Sequence, residues 1–77
     1  MNSSAHDVHI ALAQDHVLDG EARVLRQKQL VADLETRHLH DMAAKARELL
    51  AVLTETLGTM RVHLAIEARR LPGPGRP

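Results

Sequence analysis

The 77-residue chain contains no cysteine, phenylalanine, tyrosine or tryptophan. The lack of cysteine excludes a disulfide, and the lack of aromatic side chains removes the bulkiest groups that stabilise small cores. A lone domain of this length buries only about 60% of its unfolded surface, so its margin of stability is small. Stability must therefore come from a metal, from a seam (a regular row of aliphatic residues packed between helices) or from association with another chain. The Leu, Val and Ala content favours the last two.

The chain also lacks an excess of charge of either sign, with ten basic and ten acidic residues. A balanced chain has no general attraction for nucleic acid or for anionic lipid. The first residues do not show the basic and apolar segments of a signal peptide, and no uninterrupted apolar run approaches the roughly 18 residues of a membrane span. We therefore expect a cytoplasmic protein with no membrane partner, and the absence of cysteine fits a reducing compartment.

Two stretches of the sequence carry apolar or small residues at alternating steps of three and four. One runs from Ile10 to Leu34, and the other runs from Ala43 to Leu71 with one interruption at Glu67. This spacing is typical of helices that pack along a seam. It predicts one helix over about residues 5–35 and a second over about 42–70.

The pattern breaks between Thr36 and Asp41. Leu34 and Ala43 are nine residues apart, which fits neither a step of three or four nor a whole number of heptads. The break predicts a turn over 36–41 with Asp41 as the N-cap of the second helix. A single long helix with a stutter is the alternative.

We expect residues 1–4 to be disordered, and the Pro/Gly-rich residues 72–77 to form a flexible tail. Gly20 allows a close helix approach within a continuous helix, or the chain breaks here and Asp19 starts a new helix with Gly20 as its first residue; the unchanged apolar phase favours continuity. Gln27 is a polar seam residue that we expect to set register.

These patterns predict an all-α antiparallel helical hairpin. Its apolar faces are too wide for two helices to cover, so we expect two hairpins to dimerise into a four-helix bundle. Folding and association would share one set of residues, which comprises Val17, Gly20, Val24, Val31, Leu34, Leu49, Leu50, Leu53, Leu57, Met60, Leu64 and Ile66.

Parts of residues 16–64 resemble a group of short uncharacterised helical-hairpin proteins of proteobacteria. The first helix carries His16-Val17-Leu18-Asp19-Gly20-Glu21 and then Arg26-Gln27-Lys28, similar to that group's His-Val-x-x-Gly-Glu and Arg-Gln-Arg/Lys elements. The second helix carries Leu49-Leu50 and Glu55-Thr56-Leu57, which match its Leu-Leu and Glu-Thr-Leu elements. The resemblance implies a helical hairpin and no chemistry.

Six histidines raise the question of a metal site. His6 and His9 share a helix face, and His38 and His40 lie within the predicted turn beside Asp41. Zinc requires three or four converging ligands, and within one chain the spacing assembles only pairs. We therefore expect no metal and no cofactor, and these four histidines are the candidates for a metal shared between copies.

The segment Arg37-His38-Leu39-His40-Asp41 is similar to the Arg-x-Leu-His-Asp box of one class of sensor histidine kinases. That resemblance implies that His40 would accept phosphate. In those proteins the box lies within a continuous helix and works with an ATP-binding domain, for which this sequence has no counterpart. Phosphotransfer is therefore a minor hypothesis.

Arg23, Arg26 and Lys28 form a local basic cluster that acidic residues bracket on both sides. The chain has no helix-turn-helix signature and no aromatic side chain for base stacking. Scattered carboxylates and the absence of Cys and Tyr also argue against an enzyme. We expect a structural or protein-interaction module; the alternative is a small regulatory protein that contacts nucleic acid or a protein partner through the Arg23–Lys28 face.

Overall fold

A computed structural model describes residues 2–69 of the chain, with side chains from residue 5 onward. Helix α1 spans Asn2–Thr36, helix α2 spans His40–Arg69, and residues 37–39 connect them. The two helices pack against each other in an antiparallel hairpin, and the described residues form no strand. The predicted all-α hairpin is confirmed, and the alternative of one long helix is wrong.

The helix bounds differ from the predicted ones at the turn and at the start of α1. Helix α1 begins at Asn2, so residues 2–4 are helical and the prediction that they are disordered is wrong. Thr36 and His40 both lie in helices, so the turn is shorter than predicted. Asp41 lies in the first turn of α2, where its charge complements the helix dipole, and is not the N-cap. The predicted tail lies outside the described residues.

The connection is a Schellman turn that reverses the chain within residues 37–39. The Leu39 N–H donates to the Leu34 carbonyl at 2.9 Å, and the His38 N–H donates to the Glu35 carbonyl at 3.0 Å. His38 has φ of 59°, the left-handed conformation that glycine usually supplies at this position. The Leu39 carbonyl accepts the Ala43 N–H at 2.8 Å. Leu39 therefore completes the C-cap of α1 and is also the N-cap residue of α2, which is why the turn is so short.

The core is a narrow aliphatic seam divided into two clusters. Gln27 lies between the clusters, is buried, and donates from Nε2 to the Ala46 carbonyl at 2.9 Å. This hydrogen bond ties one level of α1 to one level of α2, as its predicted role in register requires. The cluster near the turn contains Val31, Leu34, Ala43 and Ala46, and the other contains Val17, Val24 and Leu57, with Leu50, Leu53, Met60 and Leu64 packed against them.

Helix α1 continues without a break through Gly20, which is buried against α2. A Cβ atom at this position would lie 3.0 Å from Cδ1 of Leu57 and 3.6 Å from Sδ of Met60. The missing side chain is thus what permits the close approach of the two helices here, and the predicted continuity is confirmed.

Helix α2 is also long and apolar enough to cross a membrane, by length and composition alone. Only 6% of its most apolar stretch is buried within the hairpin. The sequence contains no uninterrupted apolar run long enough for a membrane span, which is why none was expected. Helix α2 nevertheless has the length and composition of a span, although a few charged residues interrupt it. The absence of a membrane partner stays a prediction.

Candidate interaction surface

The hairpin has two broad sides, and the described ion pairs between the helices lie on one of them. On one side, which we call the ion-paired side, two salt bridges join the helices: Arg61–Glu21 at 2.8 Å and Arg47–Glu35 at 2.6 Å. The four side chains remain about half exposed, so each pair contributes little to stability. Their main effect is to keep this side of the seam polar.

The opposite side, which we call the groove side, carries three depressions between the helices. The depression nearest the turn has a volume of about 340 Å³ and an almost entirely apolar wall. Its only polar side chains are Gln27, whose amide already donates to Ala46, and Lys45. The other lining residues are Leu30, Leu34, Met42, Ala46 and Leu49.

Farther from the turn the groove side becomes more polar. Gly20 and Met60 line the middle depression together with His16, Asp19 and Arg23. The depression at the open end is lined by His9, Leu12, Ala13, His16, Met60, His63 and Glu67. Sequence reasoning did not single out His63; aligning the two predicted helices antiparallel about the turn would have placed it opposite His16.

Large aliphatic side chains remain exposed along both sides of the hairpin. Leu30, Met42 and Leu49 on the groove side are 45%, 56% and 49% exposed, and Leu25 on the ion-paired side is 56% exposed. Single exposed apolar residues are ordinary, but a row of them beside an apolar depression marks a contact surface. The other members of the exposed set are Val8, Leu12, Leu18, Leu39, Val52, Val62 and Ile66.

The residues predicted to carry both folding and association separate into two groups. Only Leu49 and Ile66 are exposed, at 49% and 46%, and so are available to a second copy. The rest contribute to the seam of the single hairpin. Of these, Leu50, Leu53, Met60 and Leu64 are half-buried, and Val17, Gly20, Val24, Val31, Leu34 and Leu57 are buried.

The structure does not gather the candidate metal ligands into one group. No set of three or more His, Cys, Asp or Glu side chains among residues 5–69 lies close enough to hold a metal ion. His38 and His40 are neighbours at the turn, with ring centroids 6.0 Å apart. His6 and His9 lie far along α1 from that pair, near the open end.

His40, the residue aligned with a kinase phosphoacceptor, is the first residue of α2 and is exposed. The Arg-x-Leu-His-Asp segment therefore spans a turn and a helix start, whereas the kinase box lies within a continuous helix. The local backbone of the two is thus different.

The basic cluster of α1 is divided between the two sides of the hairpin. Arg23 lines the middle depression of the groove side, whereas Lys28 lies in a depression beside Glu21 and Arg61 on the ion-paired side. Residues five apart on a helix point in very different directions, which sequence proximity had obscured. The predicted Arg23–Lys28 face is therefore not one continuous surface.

Comparison with protein-family models, with curated proteins and with solved structures finds no match for this chain. The resemblance to proteobacterial hairpin proteins stays a prediction. The groove side itself offers apolar contact area beside hydrogen-bonded or solvated polar groups.

Proposed function

We propose that this protein is a cytoplasmic, non-enzymatic interaction module that self-associates, with two hairpins forming a four-helix bundle. The observation that carries the proposal is the row of half-exposed aliphatic side chains, Leu30, Met42 and Leu49, beside an apolar depression. A second hairpin is the simplest structure that covers such a row along its length.

The thin core supports the proposal. The buried apolar residues form one seam between two helices, and Leu57, the most deeply buried large side chain among residues 5–69, keeps 4% exposure. Dimerisation would add a second layer to this core and would cover the exposed aliphatic row.

Sedimentation equilibrium from low micromolar to near-millimolar concentration tests the proposal. We expect a mass twice that of the 8.5 kDa chain over the upper part of this range. Helix content and thermal stability should both rise with concentration, because dimer formation is linked to folding by mass action. A folded monomer over the whole range would contradict the proposal.

The rival function is contact with nucleic acid or an unidentified protein partner through Arg23, Arg26 and Lys28. These three side chains are exposed, which favours the rival, but their division between two sides weakens it. Retention on duplex DNA that falls steeply with added salt would favour the rival, since phosphate contacts release counterions.

A further inference from the structure

We propose that the second copy docks on the groove side, with the two turns at the same end, while the ion-paired side stays in solvent. This inference rests on the proposed self-association and adds the surface and the orientation. In the resulting bundle, α1 of each copy packs over α2 of the other.

Burying the turn-end depression costs little. Gln27 already has its hydrogen bond, and Lys45 has an aliphatic stem that can cover apolar surface while its ammonium group stays at the rim. Arg23, farther along the groove, can extend in the same way. A second copy would therefore meet mainly Leu30, Met42 and Leu49 at this end.

Burying the opposite side costs more near the turn. Arg47–Glu35 bridges the seam there, with both groups about half exposed, whereas Lys45 is the one charged residue that lines the turn-end depression. A bundle closed over the ion-paired side would take both groups of the pair out of water, and the attraction within the pair often fails to repay that desolvation. The turn-end half of the groove side is therefore the better interface.

The heights of two leucines along the hairpin determine the orientation. Leu30 and Leu49 line one depression from opposite helices, so they lie at about the same height along the hairpin. A two-fold axis parallel to the helices preserves height and places Leu30 of one copy against Leu49 of the other. With the turns at opposite ends, the turn-end depressions could meet only if half of each hairpin were left uncovered.

A matched pair of leucine variants tests which side is used. Leu49 and Leu25 are 49% and 56% exposed on the two sides, so neither substitution should unfold the hairpin. We expect Leu49→Gln to raise the dimer dissociation constant at least about tenfold. Leu25→Gln should change it less than about threefold. Circular dichroism verifies that both variants remain helical.

Cysteine pairs test the orientation, because the natural chain has no cysteine. A chain with Leu30→Cys is mixed with a differently tagged chain with Leu49→Cys and oxidised mildly. We expect rapid formation of the mixed disulfide. The matched control mixes Leu18→Cys with Val62→Cys. Leu18 lies one heptad before Leu25 and Val62 lies next to Arg61, so both belong to the ion-paired side; they are 62% and 58% exposed and should give little product.

Three outcomes would overturn the inference, and they separate it from the proposed function. A dimer that Leu25→Gln weakens and Leu49→Gln does not, or in which only the control cysteine pair cross-links, overturns the groove side alone. A dimer in which neither pair cross-links overturns the orientation. A monomer at every concentration, including one that binds neutral phospholipid vesicles through α2, overturns both the inference and the function.

Discussion

At the scale of single residues, the turn depends on a histidine in a conformation that suits glycine better. His38 occupies the left-handed position of the Schellman turn with φ of 59°. A side chain in this region costs roughly 1–2 kcal/mol, because Cβ crowds the following carbonyl. Histidine is among the residues that tolerate the region better than most. The turn therefore forms without glycine and at some cost in stability.

Replacing His38 with glycine should stabilise the hairpin. Glycine removes the free-energy cost of the left-handed conformation. That gain exceeds the stability lost because glycine raises the conformational entropy of the unfolded chain, so the net gain is about 0.5–1 kcal/mol. Thermal unfolding at fixed concentration measures the gain. His40→Gly is the control, since His40 is helical and glycine there should bring no gain. Equal effects at both positions would contradict the conformational explanation.

At the scale of the helices, the two internal glycines have different surroundings. A Cβ at Gly20 would meet Leu57 at 3.0 Å, whereas a Cβ at Gly58 would meet nothing within 4 Å. Both glycines lie in helix interiors, where each weakens the helix relative to alanine. Only Gly20 compensates for this cost, by allowing α2 to come close.

Alanine at the two glycines should therefore act differently. Gly58→Ala should stabilise the protein by up to about 1 kcal/mol, through helix propensity alone. Gly20→Ala should gain less or lose stability, because Leu57 must move within a packed seam. Urea unfolding of both variants gives the comparison, and an equal gain at the two sites would show that the close approach at Gly20 is unimportant.

Leu57 is the most deeply buried large side chain of the seam, at 4% exposure, and packs over Gly20. Leu57→Ala should cost about 2–5 kcal/mol, because the removed atoms leave a cavity that a narrow seam fills only partly. Val52→Ala, at a position 57% exposed, is the control and should cost far less. A loss below about 1 kcal/mol for Leu57→Ala in urea unfolding would contradict the seam assignment.

At the scale of the whole molecule, the sequence predicted the number of helices, their pairing and the position of the turn. Alternating steps of three and four were enough, because a seam needs little more than that period. The predicted bounds of the turn were wrong because Leu39 belongs both to the C-cap of α1 and to the N-cap of α2. No residue type indicates such a double role. The two sides could not be distinguished either, because the cross-helix pairs Glu21–Arg61 and Glu35–Arg47 depend on the exact register of the two helices, which the apolar spacing alone does not give.

The division of the core by Gln27 has a consequence for the order of folding. The cluster of Val31, Leu34, Ala43 and Ala46 joins residues close in sequence across the short turn, so it forms after closure of a small loop. The cluster around Val17 and Leu57 joins distant residues and must wait until the intervening turns of helix are in place. The hairpin should therefore zip from its turn toward its open end, and a partner that engages the turn-end depression could begin to bind before the rest has closed.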